Sequence, residues 1–186
     1  MSYVIQPTNS YQVIRNCPKC GHKTQYVNTN CFRINANGNQ IDIWLIYQCQ
    51  HCKHTYNLTI YQRVTPSSIP KEEYERFLRN DSSLALAYGL KKELFVRNKA
   101  IIDVTNMDYS MIQNAEDSLE HEICIYNPWE LKLRVDILLS KILQLSRSQI
   151  KELSSTGALS YNQTYVGRKL EVTIGAAVST LLERSS

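Results

Sequence analysis

No run of this sequence approaches the roughly 20 consecutive apolar residues that a membrane-spanning helix needs, although 43% of its 186 residues are hydrophobic. The opening residues, Met1-Ser2-Tyr3-Val4, lack the basic and apolar regions of a secretory leader. The two absences lead to the expectation of a cytoplasmic protein with no membrane partner. There is no glycine-rich phosphate loop, no His-Glu-x-x-His pair and no nucleophile set beside a base at an informative spacing. An enzyme is therefore not expected, and no small-molecule substrate is evident. Internal repeats and low-complexity tracts are absent as well. Acid is scarce at one end: residues 1–65 hold six Lys/Arg and one carboxylate, Asp42. Residues 66–128 hold seven basic and eleven acidic residues, and residues 129–186 hold eight and five. Two basic ends thus flank an acidic middle. A basic field concentrates polyanions, which makes nucleic acid the natural partner of both ends. An ordinary solvated surface is the competing reading.

What is present in strength is paired cysteine. Cys17-Pro18-Lys19-Cys20-Gly21 and Cys49-Gln50-His51-Cys52-Lys53 are two Cys-x-x-Cys knuckles. The two-residue gap lets both thiolates of a knuckle reach one ion, and Gly21 eases the turn. In a reducing cytosol such pairs favour metal over disulfide. A redox dithiol would show one motif beside a βαβ unit; here there are two, on strands. The expectation is Zn2+ held by Cys17, Cys20, Cys49 and Cys52, in a closed structural site with no position left for a substrate water. His22, His51, His54 and Cys31 lie close in sequence, and His22 or His54 could replace a cysteine. Cys31 opens a strand and is expected to be buried. Cys124 alternates with Ile123 and Ile125 as a plain strand residue.

Residues 11–62 read as strands and turns. The hairpin signal Asn35-Ala36-Asn37-Gly38-Asn39 lies between Cys31–Ile34 and Ile41–Gln48. Ile41, Ile43, Leu45 and Tyr47 share one face of the second strand, which leaves Trp44 and Ile46 on the outer one. Pro70 starts a helix to about Arg79, and Asp81 caps a second to about Arg97. Short strands are expected at 100–105, 109–113 and 120–126, with an acidic turn at 114–118. Asn127-Pro128-Trp129-Glu130 reads as a helix start. Residues 134–162 then read as helix, turn, helix, turn, strand. Ser146 and Gln149 form a capping box, Gly157 ends the second helix, and Arg147 and Lys151 share one face near its start. A helix N-terminus with two cations suits an anion such as RNA phosphate. The final residues, 184–186, are expected to fray.

The run Arg134, Asp136, Leu139, Ser146, Arg147, Gly157, Leu159 and Asn162 resembles the RNA-binding domain named after small-subunit ribosomal protein S-four. That resemblance implies binding of structured RNA by Arg147 and Lys151, with Arg134 in the shared motif and Arg168 and Lys169 extending the face. It departs from the family's pattern at Ile150 and Gln163. The whole chain, with Cys-Pro-Lys-Cys near residue 17, Cys-x-x-Cys near 49 and Leu-Ser-Arg-Ser before the last part, resembles an uncharacterised bacterial family known only as domain of unknown function 1062. That family implies no activity.

These readings combine into an α+β protein: a β zinc ribbon at 1–65, a helical and strand linking region at 66–127, and an S-four-like helix-helix-strand module at 128–186. The expected function is non-enzymatic binding of structured RNA through the basic C-terminal helix face. The alternative is a protein-interaction or regulatory adaptor with a purely structural zinc and no nucleic-acid binding, using the Trp44–Ile46 surface and the acidic middle.

Overall fold

A computed structural model of the chain describes residues 1–105, 107–114 and 122–175. Among the described residues the strands are β1 (Ser2–Pro7), β2 (Gln12–Asn16), β3 (Lys23–Asn37), β4 (Gln40–Cys49), β5 (Thr55–Val64), β6 (Ile101–Asp103), β7 (Tyr109–Asn114), β8 (Glu122–Tyr126), β9 (Leu159–Ser160) and β10 (Lys169–Ile174). The helices are α1 (Lys71–Leu78), α2 (Ser82–Gly89), α3 (Lys92–Arg97), α4 (Val135–Leu143) and α5 (Arg147–Ser155). The backbone divides into two compact units, Thr8–Met107 and Met1–Pro7 with Asp108–Ser186. No helix among the described residues is long and apolar enough to cross a membrane.

The unit Thr8–Met107 is built on an antiparallel sheet in the order β5-β4-β3-β2-β6. Strand β4, between β5 and β3, alternates as the pattern predicts. Ile41, Ile43, Leu45 and Tyr47 are buried, and Asp42, Trp44, Ile46 and Gln48 are half-exposed on the other face. The β3–β4 hairpin turns at Gly38, whose φ of 60° is a left-handed value that glycine adopts without strain. On the inner side, Phe77 of α1, Leu84 and Tyr88 of α2 and Phe95 of α3 complete the core. Their rings meet the sheet edge-on: Phe77 with Phe32 at 4.8 Å between centroids, and Phe95 with Tyr47 at 6.1 Å. Each such side chain contributes about 1.5–3 kcal/mol through burial. Asp81 caps α2 as expected, its carboxylate accepting from Leu84 N–H at 2.9 Å. The single helix expected from Asp81 to Arg97 breaks into α2 and α3. The chain at Ser10–Tyr11 passes against Gly89, whose carbonyl accepts from Tyr11 N–H at 3.0 Å. Cys31 is exposed rather than buried. It sits in a bulge between Asn28 and Phe32, where Asn30 has φ 57° and the strand register slips.

In the other unit the sheet order is β7-β1-β8-β10-β9, with β1 antiparallel to β7 and parallel to β8. Its core gathers Ile5, Ile123, Ile125, Leu170 and Val172 from the strands and Val135, Leu138, Leu139 and Ile150 from α4 and α5. The capping box of Ser146 and Gln149 forms, and Gly157 takes a left-handed φ of 77°. The helix start at Asn127 does not form. Asn127 is buried and its amide clamps Leu131, donating to its carbonyl at 2.9 Å and accepting from its N–H at 3.1 Å. Glu130 has φ 52°, which breaks any helix there, and α4 starts only at Val135.

The expected fold class is overturned. A β zinc ribbon, a linking region and an S-four-like helix-helix-strand module do not follow one another. Among the described residues two five-stranded sheets carry the fold, and the helix pair is an accessory to one of them. The physical reason is non-local pairing: β6 returns to β2 to widen the first sheet, and the N-terminal β1 is the strand that joins β7 to β8. The expected acidic turn falls mostly on residues 115–121, and the expected fraying on 184–186; both lie outside the described residues.

Candidate metal centre

The two knuckles fall at one end of the first sheet, one between β2 and β3 and the other between β4 and β5. They repeat the same backbone turn. Cys17 N–H donates to His22 O and Cys49 N–H to His54 O, both at 2.9 Å; Gly21 N–H donates to Cys17 O at 2.9 Å and Lys53 N–H to Cys49 O at 3.1 Å. The turn needs a left-handed residue at its fourth step. Gly21 takes it at φ 76°, and Lys53 takes it at φ 61°. A side chain there costs about 1–2 kcal/mol, so the second knuckle is held in a conformation its sequence does not favour.

This geometry brings the four sulfurs of Cys17, Cys20, Cys49 and Cys52 within 4.8 Å of one another. Cys17 Sγ and Cys52 Sγ are 3.4 Å apart, and Cys20 Sγ and Cys49 Sγ 3.9 Å. A tetrahedral ion bonded to sulfur at about 2.3 Å requires S···S separations of about 3.8 Å. The four cysteines fit such an ion. Among the described residues they are the group of three or more His, Cys, Asp or Glu side chains placed to hold a metal.

The electrostatics favour ionised sulfur at the first position of each knuckle. Burial pushes the Cys17 thiol up, but the Tyr26 hydroxyl, the Cys20 N–H, Cys52 and the Lys19 N–H outweigh it and bring it down to about 6. Burial likewise opposes ionisation of Cys49. There the Cys52 N–H, the Thr24 hydroxyl, the His51 N–H and Cys52 bring it down to about 7. Thr24 Oγ1 lies 3.3 Å from Cys49 Sγ. Cys20 is pushed the other way, up to about 12, by Cys52 first, then by burial and the neighbouring Cys17 and Cys49. A cation at the centre removes the repulsion that holds Cys20 back. Thr24 and Tyr26 are neighbours of the sulfurs that a reading of spacing alone misses; their position on β3 directly after the first knuckle is the only signal for them.

The alternative ligands are not drawn in. His22 turns its Nδ1 to Cys20 O at 2.9 Å, and its ring lies 6.2 Å from that of His51. Cys31 is in the bulge, and Cys124 is a half-buried residue of β8, as its alternation suggested. Around the knuckles, Arg15, Lys19, Lys23 and Lys53 are exposed. Arg15 lies over the Tyr56 ring at 4.1 Å.

The residues expected to hold RNA are placed differently. Arg134 and Arg147 both bind Asp136, at 2.9 Å and 2.7 Å. Arg168 pairs with Glu130 and Lys169 with Glu171, each at 2.6 Å. Lys151 forms no ion pair among the described residues. The partner common to Arg134 and Arg147 was the missed residue. Its signal was the Arg-x-Asp step at 134–136, two residues apart at the start of a helix.

A family model described as a protein of unknown function (DUF1062) matches residues 34–165, a span that takes in the second knuckle and most of the second unit. No curated protein matches the chain, and no solved structure matches it.

Proposed function

The chain belongs to the DUF1062 family of proteins of unknown function, and from its own geometry we propose that it is a non-enzymatic zinc protein that binds structured RNA through the knuckle end of its first sheet. The observation that carries this reading is the unopposed charge there. Asp42 is the only carboxylate in residues 1–70. It lies seven residues along β4 from Cys49, roughly 23 Å away at strand rise. Asp103 pairs with Gln12 at the other end of β2, and its carboxylate is taken up by Gln25 Nε2 at 2.8 Å. Arg15, Lys19, Lys23 and Lys53 therefore form a patch of one sign, and none of them is in an ion pair among the described residues. The whole unit Thr8–Met107 holds thirteen Lys/Arg and seven Asp/Glu, a net of +6. A zinc ion with four thiolates lowers this by two charges and leaves it basic. Zinc is the ion of choice because four sulfur donors in a closed tetrahedral set are its structural signature. Its role in this reading is to lock two turns so that their cations face one polyanion.

The test is binding of a structured RNA, and of duplex DNA of equal length, to zinc-loaded protein at several salt concentrations. Reversing Lys19, Lys23 and Lys53 to Glu should weaken RNA binding by more than about tenfold and flatten the slope of log K against log salt by roughly two to three. If the wild-type chain binds RNA and the triple variant binds it equally well, the knuckle end is not the RNA surface. If the wild-type chain binds no RNA below about 10 μM at low salt, where non-specific binders register, the adaptor reading with a purely structural zinc replaces this one. The half-exposed Trp44 and Ile46 would then be the surface to probe.

A further inference from the structure

The unit formed by Met1–Pro7 and Asp108–Ser186 holds a cavity of about 360 Å³ lined by the start of α4, by Lys151 of α5 and by the segment 161–164. That segment is tied down: Val135 N–H donates to Thr164 O at 3.0 Å, and Val166 N–H to Leu133 O at 2.9 Å. In the wall, Asp136 is only 6% exposed. It accepts from Arg134 Nε at 2.9 Å and Nη2 at 3.2 Å, and from Arg147 Nε at 3.0 Å and Nη2 at 2.7 Å. One carboxylate needs one guanidinium for neutrality. Here two are oriented on it, each spending two of its five N–H donors, and one positive charge is left over in a fixed position. Lys151 lies four residues after Arg147, on the same side of α5, and is unpaired among the described residues. The side chains of Tyr161, Asn162, Gln163 and Thr164 also line the cavity, with no hydrogen-bond partner among the described residues.

We infer that this cavity binds a small phosphomonoester with a hydroxylated body. Arg134 and Lys151 line the cavity, and Arg147, held from outside the lining on the same Asp136 carboxylate, brings the charge of the cluster to +2, which matches a phosphate dianion. Planar guanidinium forks fit phosphoryl oxygens in a way a single ammonium cannot. The volume lies at the lower end of the range for small-molecule sites and leaves room beyond the phosphoryl group. The amides and hydroxyls of Tyr161, Asn162, Gln163 and Thr164 suit the hydroxyls of a pentose. A polyanion is disfavoured here, because the unit as a whole holds eight Lys/Arg and ten Asp/Glu. Asp136 lies in the cavity wall with both carboxylate oxygens taken up by the two guanidiniums, which it orients; it is a positioning residue.

Calorimetry on the full zinc-loaded chain tests this with ribose 5-phosphate, ribose, inorganic phosphate and an RNA hairpin. Ribose 5-phosphate should bind one to one with a Kd below about 1 mM. Inorganic phosphate should compete with it, and ribose should bind at least about tenfold more weakly. Lys151→Gln should weaken ribose 5-phosphate by about tenfold without moving the melting temperature. Arg134→Lys, which keeps the charge and loses the fork of the arginine that lines the cavity, should weaken it too. Three results would each overturn the inference: no binding of ribose 5-phosphate at that level, unchanged affinity in Lys151→Gln, or Lys151-dependent binding of the RNA hairpin alone. The outcome does not depend on whether the knuckle cations of the other unit hold nucleic acid.

Discussion

Removing the proposed zinc is the perturbation whose size can be worked out most fully. Structural zinc in small cysteine-rich peptides binds with about 10–16 kcal/mol. Free zinc near 1 μM corresponds to about 8 kcal/mol on the same scale, so linkage leaves roughly 2–8 kcal/mol of stabilisation. A zinc finger with no other core would unfold on losing it. This unit has a core of its own: Ile43, Leu45, Tyr47, Leu58, Phe77 and Phe95 are all at most 1% exposed. For a unit of about 100 residues, each kcal/mol moves the melting temperature by about 4–8 °C. Chelation should therefore lower the melting temperature by at least about 8 °C while the sheet persists at 25 °C. Cys49→Ser should reproduce that loss, since Cys49 is fully buried. The assay is circular-dichroism melting with chelator and with buffered zinc, alongside elemental analysis and the visible spectrum of the cobalt-substituted protein. One zinc per chain and a tetrahedral thiolate spectrum are expected. Superimposable melts, or a well-folded protein that purifies without metal and takes up none, would refute the reasoning.

Two further perturbations probe the packing. Arg134 first, and then Arg147, hold the Asp136 carboxyl well below the usual range against the opposing effect of burial. The stability this contributes is fully present above the ordinary carboxylate pKa near 3.9 and is lost as the pH falls below it. Asp136→Asn should cost about 2–3 kcal/mol at pH 7, less than a wholly buried pair, because the guanidinium partners are 40% and 51% exposed. It should also flatten the acid limb of the stability curve between about pH 5 and pH 2; an unchanged limb in urea titrations would place the acid sensitivity elsewhere. Gly89→Ala would set a Cβ 2.2 Å from Ser10 Oγ and 2.5 Å from Ser10 Cβ. A loss of about 1–3 kcal/mol is expected, read as a shift in denaturation midpoint at constant slope, and partly recovered by Ser10→Gly in the same chain. Equal midpoints for Gly89→Ala and the parent would show that the α2 end is not packed this tightly.

Local chemistry was legible and long-range pairing was not. The knuckles, the Gly38 hairpin, the alternating faces of β4, the Asp81 cap and the Ser146 box each follow from residues within about five positions of one another. Each appears where the sequence places it. What failed depends on partners far along the chain. Nothing near Ser2–Pro7 announces that Gln6 will pair with Ser110. Nothing near Gly89 announces that residue 10 will press on it. Asn127 carries the same letters as a helix cap, and only the burial of its amide against Leu131 decides that it is a clamp. The S-four resemblance matched a spacing that two short helices joined by a turn produce on many folds; the sheet beside them settled the architecture.

The same non-local pairing alters the meaning of the charge. Counted along the sequence, both ends are basic, and the C-terminal cations look like the RNA face. Counted by folded unit, the acidic segment 108–128 joins the C-terminal residues and cancels them, while residues 66–107 join the knuckles without doing so. The ion pairs agree with this regrouping. Arg168 and Lys169 already face Glu130 and Glu171 at 2.6 Å, whereas Lys19, Lys23 and Lys53 face no carboxylate among the described residues. A cation that has a carboxylate to itself gains little from a phosphate, because it must first release that partner. Reversing Arg168 and Lys169 to Glu should therefore leave RNA affinity within about threefold of wild type at a fixed salt concentration, with the salt slope unchanged. Reversing Lys19, Lys23 and Lys53 should remove most of both. If anisotropy titrations gave the opposite ranking, the charge of the folded unit would not govern where this chain meets nucleic acid, and the linear count would have been the better guide.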